Sequence, residues 1–142
     1  MSACRGLLRV GPAETNGLLV RASTAVLIPD PRDILHVMGT ISRHRATLFP
    51  GVPTMYVAIN NHPQVKEFDL SSIRACVSGA APLPREVQKS FQTLTGGLLV
   101  EGCGLTEASP ITHANPVSTQ NKIGTIGLPW PDSDARIMDL DT

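Results

Sequence analysis

Apolar residues in this chain come in short continuous runs, separated by stretches in which they recur at helical spacing. That alternation is the pattern of parallel βαβ units. The run 24–28 predicts a buried strand, and Asp30 followed by Pro31 predicts the N-cap and first turn of a helix reaching about residue 43. Ile34, Val37, Met38 and Ile41 fall on one face of that helix, so the stripe should pack on a sheet. Residues 46–49 predict a short strand, residues 50–53 a turn, and Met55, Tyr56 and Ile59 a short helix that ends at the polar break 60–63. After a charged connection comes a strand at 73–77.

The clearest helix follows, with Leu83, Val87, Phe91 and Leu94 on one face and Gly96-Gly97 as its stop. Residues 98–100 predict another strand, ending in a turn at Glu101. The tail, 122–139, predicts a loop and then a strand at 135–138, the start of a β-rich layer. The expected fold class is therefore α/β, built from parallel βαβ units. No internal repeat, low-complexity tract or linker interrupts the pattern.

The two most informative segments lie at the predicted carboxyl ends of strands, where ligands collect in open α/β sheets. In Glu101-Gly102-Cys103-Gly104-Leu105-Thr106-Glu107-Ala108-Ser109-Pro110, glycines allow main chain to approach a ligand. Thr106 offers a hydroxyl to a phosphate oxygen, and Glu107 offers the hard carboxylate oxygen that magnesium takes beside phosphates. The same spacing also fits a plain strand-to-helix turn, with Thr106 as a cap and Glu107 in the first turn. In Ser78-Gly79-Ala80-Ala81-Pro82-Leu83-Pro84, small residues let a flat ring lie against the backbone, while the prolines set up the helix start.

Together these two segments resemble those of the adenylate-forming enzymes, in particular the long-chain fatty-acid–CoA ligases (AMP-forming acyl-CoA synthetases). The resemblance runs from about residue 17 to the end. It also includes Leu27-Ile28-Pro29-Asp30-Pro31-Arg32-Asp33, Thr47-Leu48-Phe49-Pro50-Gly51-Val52-Pro53-Thr54-Met55-Tyr56, Thr112-His113-Ala114-Asn115-Pro116 and Ile123-Gly124-Thr125-Ile126-Gly127-Leu128-Pro129. It implies a partial AMP-binding domain over 17–142, with 1–16 unassigned. It further implies an internal fragment of a larger N-terminal domain: the family's phosphate loop, its ribose-binding aspartate and its lysine-bearing small domain have no counterpart in these 142 residues.

By resemblance, Gly79, Ala80, Ala81, Pro82, Glu101, Gly102, Cys103 and Gly104 form the adenine pocket, with Thr106 on phosphate and Glu107 on Mg²⁺. Thr106 and Glu107 are thus the catalytic candidates. Val52, Pro53, Tyr56 and Leu105 belong to the acyl pocket, with Tyr56 at the gate of the acyl tunnel; core packing of a short amphipathic helix explains Tyr56 equally well. The implied reaction joins a fatty acid to ATP as acyl-adenylate and then to CoA, with AMP and pyrophosphate released. The isolated chain is expected to be inactive. Two alternatives stand beside this: a non-enzymatic product that binds nucleotide or acyl groups, and an aryl- or amino-acid-activating relative.

Cys103 departs from the family, whose members commonly place an aromatic ring there to stack on adenine. Losing a stack worth roughly 1–3 kcal/mol would weaken ATP binding by about one to two orders of magnitude. Cys76 fits a small core residue, and three cysteines so far apart suggest no metal knuckle. Of the histidines, His36, His44 and His62 fit surface or packing roles, and His113 follows the main motif.

Composition narrows the picture further. Hydrophobic residues make up 42%, 12 basic residues balance 12 acidic ones, and the clustered positive charge of a nucleic-acid footprint is not seen. No apolar run is long enough to span a bilayer, and Arg5 and Arg9 interrupt any signal-peptide core. The expected location is the cytoplasm, with the parent enzyme peripheral to a membrane.

Overall fold

The computed structural model of the chain describes residues 5–7, 24–108, 111–118 and 120–139. Cys4, and Ser109 and Pro110 at the end of the main motif, lie outside the described residues. Strands β1 (Arg5–Leu7) and β2 (Thr24–Val26) pair in parallel. Helix α1 (Ile34–His44) leads to an extended segment at 47–51, then to α2 (Pro53–Asn60), a 3₁₀ turn (Val65–Glu67) and β3 (Ala75–Ser78). Helix α3 (Arg85–Thr95) connects β3 to β4 (Leu98–Gly104), after which come a second 3₁₀ turn (Thr106–Ala108), β5 (Ile111–Ala114) and β6 (Leu128–Pro129). The second sheet runs in the order β3-β4-β5-β6.

The parallel βαβ expectation holds in the first part of the chain. β3 and β4 are parallel, with Ala75 opposite Leu98 and Ser78 opposite Glu101, and α3 makes the crossover. The segment 47–51 lies along the other edge of β3 through parallel bridges at Leu48 and Gly51. Its main chain hydrogen-bonds that of β3 from Thr47 to Gly51, for example Phe49 N–H to the Ala75 carbonyl at 3.1 Å. The predicted strand at 46–49 is thus an irregular edge ladder, with α2 as a second crossover.

One apolar core is shared by α1, α2, α3, β3 and the first half of β4. Val37, Met38 and Ile41 of α1, Tyr56 and Ile59 of α2, Cys76 of β3, Phe91 of α3 and Leu99 of β4 are fully buried together. Tyr56 packs edge-on against Phe49 and Phe91, at ring-centroid distances of 5.7 and 4.9 Å. Its hydroxyl lies 3.0 Å from the Phe49 carbonyl and 3.1 Å from the Val77 carbonyl, so one buried O–H serves both adjoining strand segments. Two glutamines dock α3 on β4: Gln88 Nε2 donates to the Leu99 carbonyl at 2.6 Å, and the Leu99 N–H donates to Gln92 Oε1 at 3.0 Å. They satisfy backbone groups on the edge of β4 that no strand among the described residues covers at that level. Gly97 closes the turn against Ile73, where a Cβ would lie 2.7 Å from the Ile73 carbonyl oxygen.

The structure corrects three expectations. Asp30 does not cap α1: its carboxylate accepts the Arg32 N–H in a local turn, while Asp33 accepts the His36 N–H at 2.9 Å and the helix begins at Ile34. The local turn at Asp30 competes with a capping role there, and Asp33 takes the cap instead. The region 101–104 is not a turn but the second half of β4, which exchanges its parallel partner for the antiparallel β5. Residues 135–138 form no strand. Ile137 is wholly exposed, Arg136 pairs with nearby Asp134, and among the described residues no neighbouring strand offers its edge.

Replacing Tyr56 with Phe should lower unfolding free energy by about 1–3 kcal/mol, because the buried Phe49 carbonyl loses this donor, while the Val77 carbonyl keeps the Gly51 N–H. Burial, with a smaller contribution from Cys76, pushes the Tyr56 phenol well above its ordinary value of 10.0. The folded state therefore favours the neutral phenol. Its contribution is complete below pH 10 and declines as pH rises through the unfolded-state value toward the folded one. Urea titrations from pH 8 to 11 should show a stability loss above pH 10 in the wild type that is smaller in the Tyr56→Phe variant.

Candidate functional site

The change of partner along β4 brings the two motif segments together. Ser78 stands opposite Glu101 in the β3/β4 register, so the chain leaving β3 at residues 79–82 runs beside the middle of β4. A Cβ built on Gly79 would lie 4.0 Å from the Gly102 carbonyl oxygen. Glu101 ties the segments directly, its Oε1 accepting the Leu83 N–H at 3.3 Å. Ala80 adopts a left-handed backbone, with φ of 69°. For a residue with a Cβ that conformation is strained, and strain of this kind concentrates at ligand sites.

Gly102 is required by packing more than by flexibility. A Cβ there would approach Val77 Cγ1 at 3.1 Å. The register of β4 and β5 shifts between Cys103 and Gly104, which turns the strand end outward. Exposed Leu105 follows, and then Thr106 and Glu107 on the exposed 3₁₀ turn. The hydroxyl of Thr106 and the carboxylate of Glu107 therefore face solvent at the carboxyl end of β4. No cluster of three or more His, Cys, Asp or Glu side chains able to hold a metal occurs among the described residues. A cation at Glu107 would have one protein carboxylate and would draw its other oxygen ligands from a phosphate and water, a donor set that suits magnesium.

The acyl-pocket candidates occupy unlike surroundings. Tyr56 and Pro53 are buried in the core, Val52 is half-buried, and Leu105 is exposed. A groove of about 440 Å³ lies elsewhere, lined by residues that include Asn60, Lys66, Lys89 and Leu94, and no motif residue borders it.

Sequence reasoning passed over Asn115. It is 4% exposed, and its main-chain N–H donates to the Glu101 carbonyl at 2.9 Å. Its Nδ2 donates to the carbonyls of Glu101 and Thr125, while Oδ1 accepts the Lys122 N–H at 3.2 Å. One amide thereby fastens the loop 116–127 to the middle of β4. Gly127 completes the fastening: at φ of 91° it lies so close to the Ala114–Asn115 peptide that a Cβ would come within 2.2 Å. The available signal was the pair Asn115-Pro116 and Gly124 with Gly127, polar and glycine residues at fixed places in an otherwise apolar stretch.

The family model described as AMP-binding enzyme matches residues 10–142. The chain belongs to the AMP-binding enzyme family. A long-chain-fatty-acid–CoA ligase of Bacillus subtilis (strain 168) is 50% identical to it over 119 residues, covering 82% of the chain and 21% of that relative. Among solved structures, an anthranilate CoA ligase in complex with anthranoyl-AMP is 29% identical with a TM-score of 0.75, over 84% of this chain and 23% of that one. A benzoate CoA ligase from Burkholderia xenovorans LB400 is 30% identical with a TM-score of 0.72, over 80% of this chain and 23% of that one. The chain thus spans about a fifth of the length of the Bacillus ligase, and its α/β architecture is that of the N-terminal domain of adenylate-forming enzymes. No helix among the described residues is long and apolar enough to cross a membrane.

Gly127→Ala should release β6 while sparing the core. Hydrogen exchange should show the Trp130 amide, bonded to the Thr112 carbonyl at 2.8 Å, losing protection by about tenfold or more as that region opens locally. The Phe91 amide in α3 should keep its protection.

Proposed function

We propose that these residues are the adenine-and-magnesium part of a fatty-acid–CoA ligase, assigned to residues 17–142 as part of its AMP-binding domain. The observation that carries this is the meeting of residues 79–82 with residues 101–104 at the carboxyl ends of two parallel strands, tied by Glu101 and Leu83. In this reading Gly79, Ala80, Ala81 and Pro82 form one wall of the adenine pocket, and Glu101, Gly102, Cys103 and Gly104 the other. Thr106 donates to a phosphate oxygen of ATP, and Glu107 holds Mg²⁺. Val52, Pro53, Tyr56 and Leu105 border the acyl path, Tyr56 acting from within the core by fixing the ends of the strands around it.

The chemistry requires positioning and charge neutralisation more than proton transfer. The fatty-acid carboxylate attacks the α-phosphorus of ATP, pyrophosphate leaves, and the CoA thiol then displaces AMP. Magnesium, when bound, supplies Lewis-acid neutralisation of the phosphate charge. Thr106 and Glu107 orient the phosphates, and the small residues at 79–82 keep the base in place. No residue of this chain is assigned to CoA. The 142 residues alone are not expected to turn over, and the reaction is assigned to the cytoplasm, at or near a membrane surface. Aryl acids are the second reading, favoured by the two aryl-CoA ligases of similar fold.

Exchanging the matching block of the Bacillus ligase for residues of this chain tests the assignment in a complete enzyme. Fatty-acid-dependent AMP release should survive the exchange, and Glu107→Ala within it should lower kcat/KM by about 100-fold or more, as expected for loss of a phosphate-neutralising metal. A chimera preferring benzoate over fatty acid would support the aryl reading. In the same chimera, Cys103→Tyr should tighten ATP binding by about tenfold or more through restored stacking.

A further inference from the structure

Register places a second chemical group against Cys103. Cys103 on β4 is the direct cross-strand partner of His113 on β5, so the two side chains leave the same face of the sheet. Both residues are partly buried. His113 Nδ1 is shielded from solvent, yet no hydrogen-bond partner for it exists among the described residues. On that same face stands Ser78, in register with Glu101 two residues from Cys103; Ser78 is wholly buried and its Oγ is likewise without a partner. Glu101 stands on this face too, its carboxylate engaged by the Leu83 N–H. The face therefore holds a thiol, an imidazole and a hydroxyl with unused hydrogen-bonding capacity.

We propose that Cys103 and His113 form a thiol–imidazole pair that makes Cys103 a site of thiol–disulfide exchange with small disulfides. The Cys103 sulfur attacks one sulfur of the disulfide and forms the new S–S bond. The other sulfur leaves with the bonding electron pair as a thiolate, and the Cys103 proton passes to the imidazole and then to solvent. Cys76 provides an internal contrast, since it is 1% exposed and burial pushes its thiol well above the ordinary range. A thiol held neutral in the core is inert to disulfides.

The test treats the full 142-residue chain, with Cys4→Ser, with 5,5′-dithiobis(2-nitrobenzoate) under native conditions, using peptide mass spectrometry to locate the product. A synthetic peptide covering residues 99–107 supplies the reference thiol, with the same local charges and no imidazole. Cys103 should react about tenfold or more faster than the peptide, although half-buried, and Cys76 should stay unmodified. His113→Asn should bring the Cys103 rate to or below that of the peptide, and His113→Gln serves if the first variant loses its native circular dichroism. Reaction of native Cys103 no faster than the peptide would overturn the proposal without any variant. So would an unchanged rate in a folded His113 variant.

Discussion

The main-chain carbonyl of Glu101 is the point on which the structure turns. It lies where β4 stops pairing with β3 and starts pairing with β5, and it accepts both the N–H and the Nδ2 of buried Asn115. Upstream of it β4 belongs to a parallel βαβ unit whose edge is served by Gln88 and Gln92. Downstream the same strand belongs to an antiparallel layer. A strand in two kinds of sheet must satisfy its backbone groups at the crossover, since an unpaired buried carbonyl costs on the order of 1–3 kcal/mol. Asn115 meets that need, and the Glu101 side chain then reaches Leu83 on the far side. The two segments of the candidate site meet because both are anchored to this residue.

The core reinforces the arrangement from beneath. Tyr56 serves the carbonyls of Phe49 and Val77, on the edge ladder and on β3, while Phe91 seals the other face of its ring. These contacts fix the ends of the parallel segments, from which residues 79–82 depart. The strained Ala80 backbone and the small side chains beside it become useful only on such a rigid base. Local freedom and global rigidity thus divide between the exposed 3₁₀ turn carrying Thr106 and Glu107 and the packed strands behind it.

Much of this was legible in the residues. The helical spacing of Leu83, Val87 and Phe91 and the left-handed Gly96 stop give α3, and the stripe Val37, Met38 and Ile41 gives the buried face of α1. The family was legible through its motifs, because residue types at fixed spacing survive without knowledge of the fold. What escaped was set by tertiary partners. Residues 101–104 look like a turn because glycines usually mark turns, but here Gly102 makes room for Val77 and the strand continues. Asp30 before Pro31 reads as the cap in sequence, and only the chain path gives that place to Asp33. The pairing of Cys103 with His113 depends on register, which spacing along one chain does not reveal.

The central claim is that residues 79–82 and 101–107 form one nucleotide-binding surface. Amide chemical shifts of the isotopically labelled chain, titrated with a non-hydrolysable ATP analogue and Mg²⁺ at millimolar concentrations, test it most directly. The account predicts shift changes concentrated at Gly79, Ala80, Ala81, Gly102, Cys103, Gly104, Thr106 and Glu107, and their reduction in Glu107→Ala. Changes centred instead on the groove around Lys66 and Lys89, or none at all in a well-dispersed folded spectrum, would contradict it.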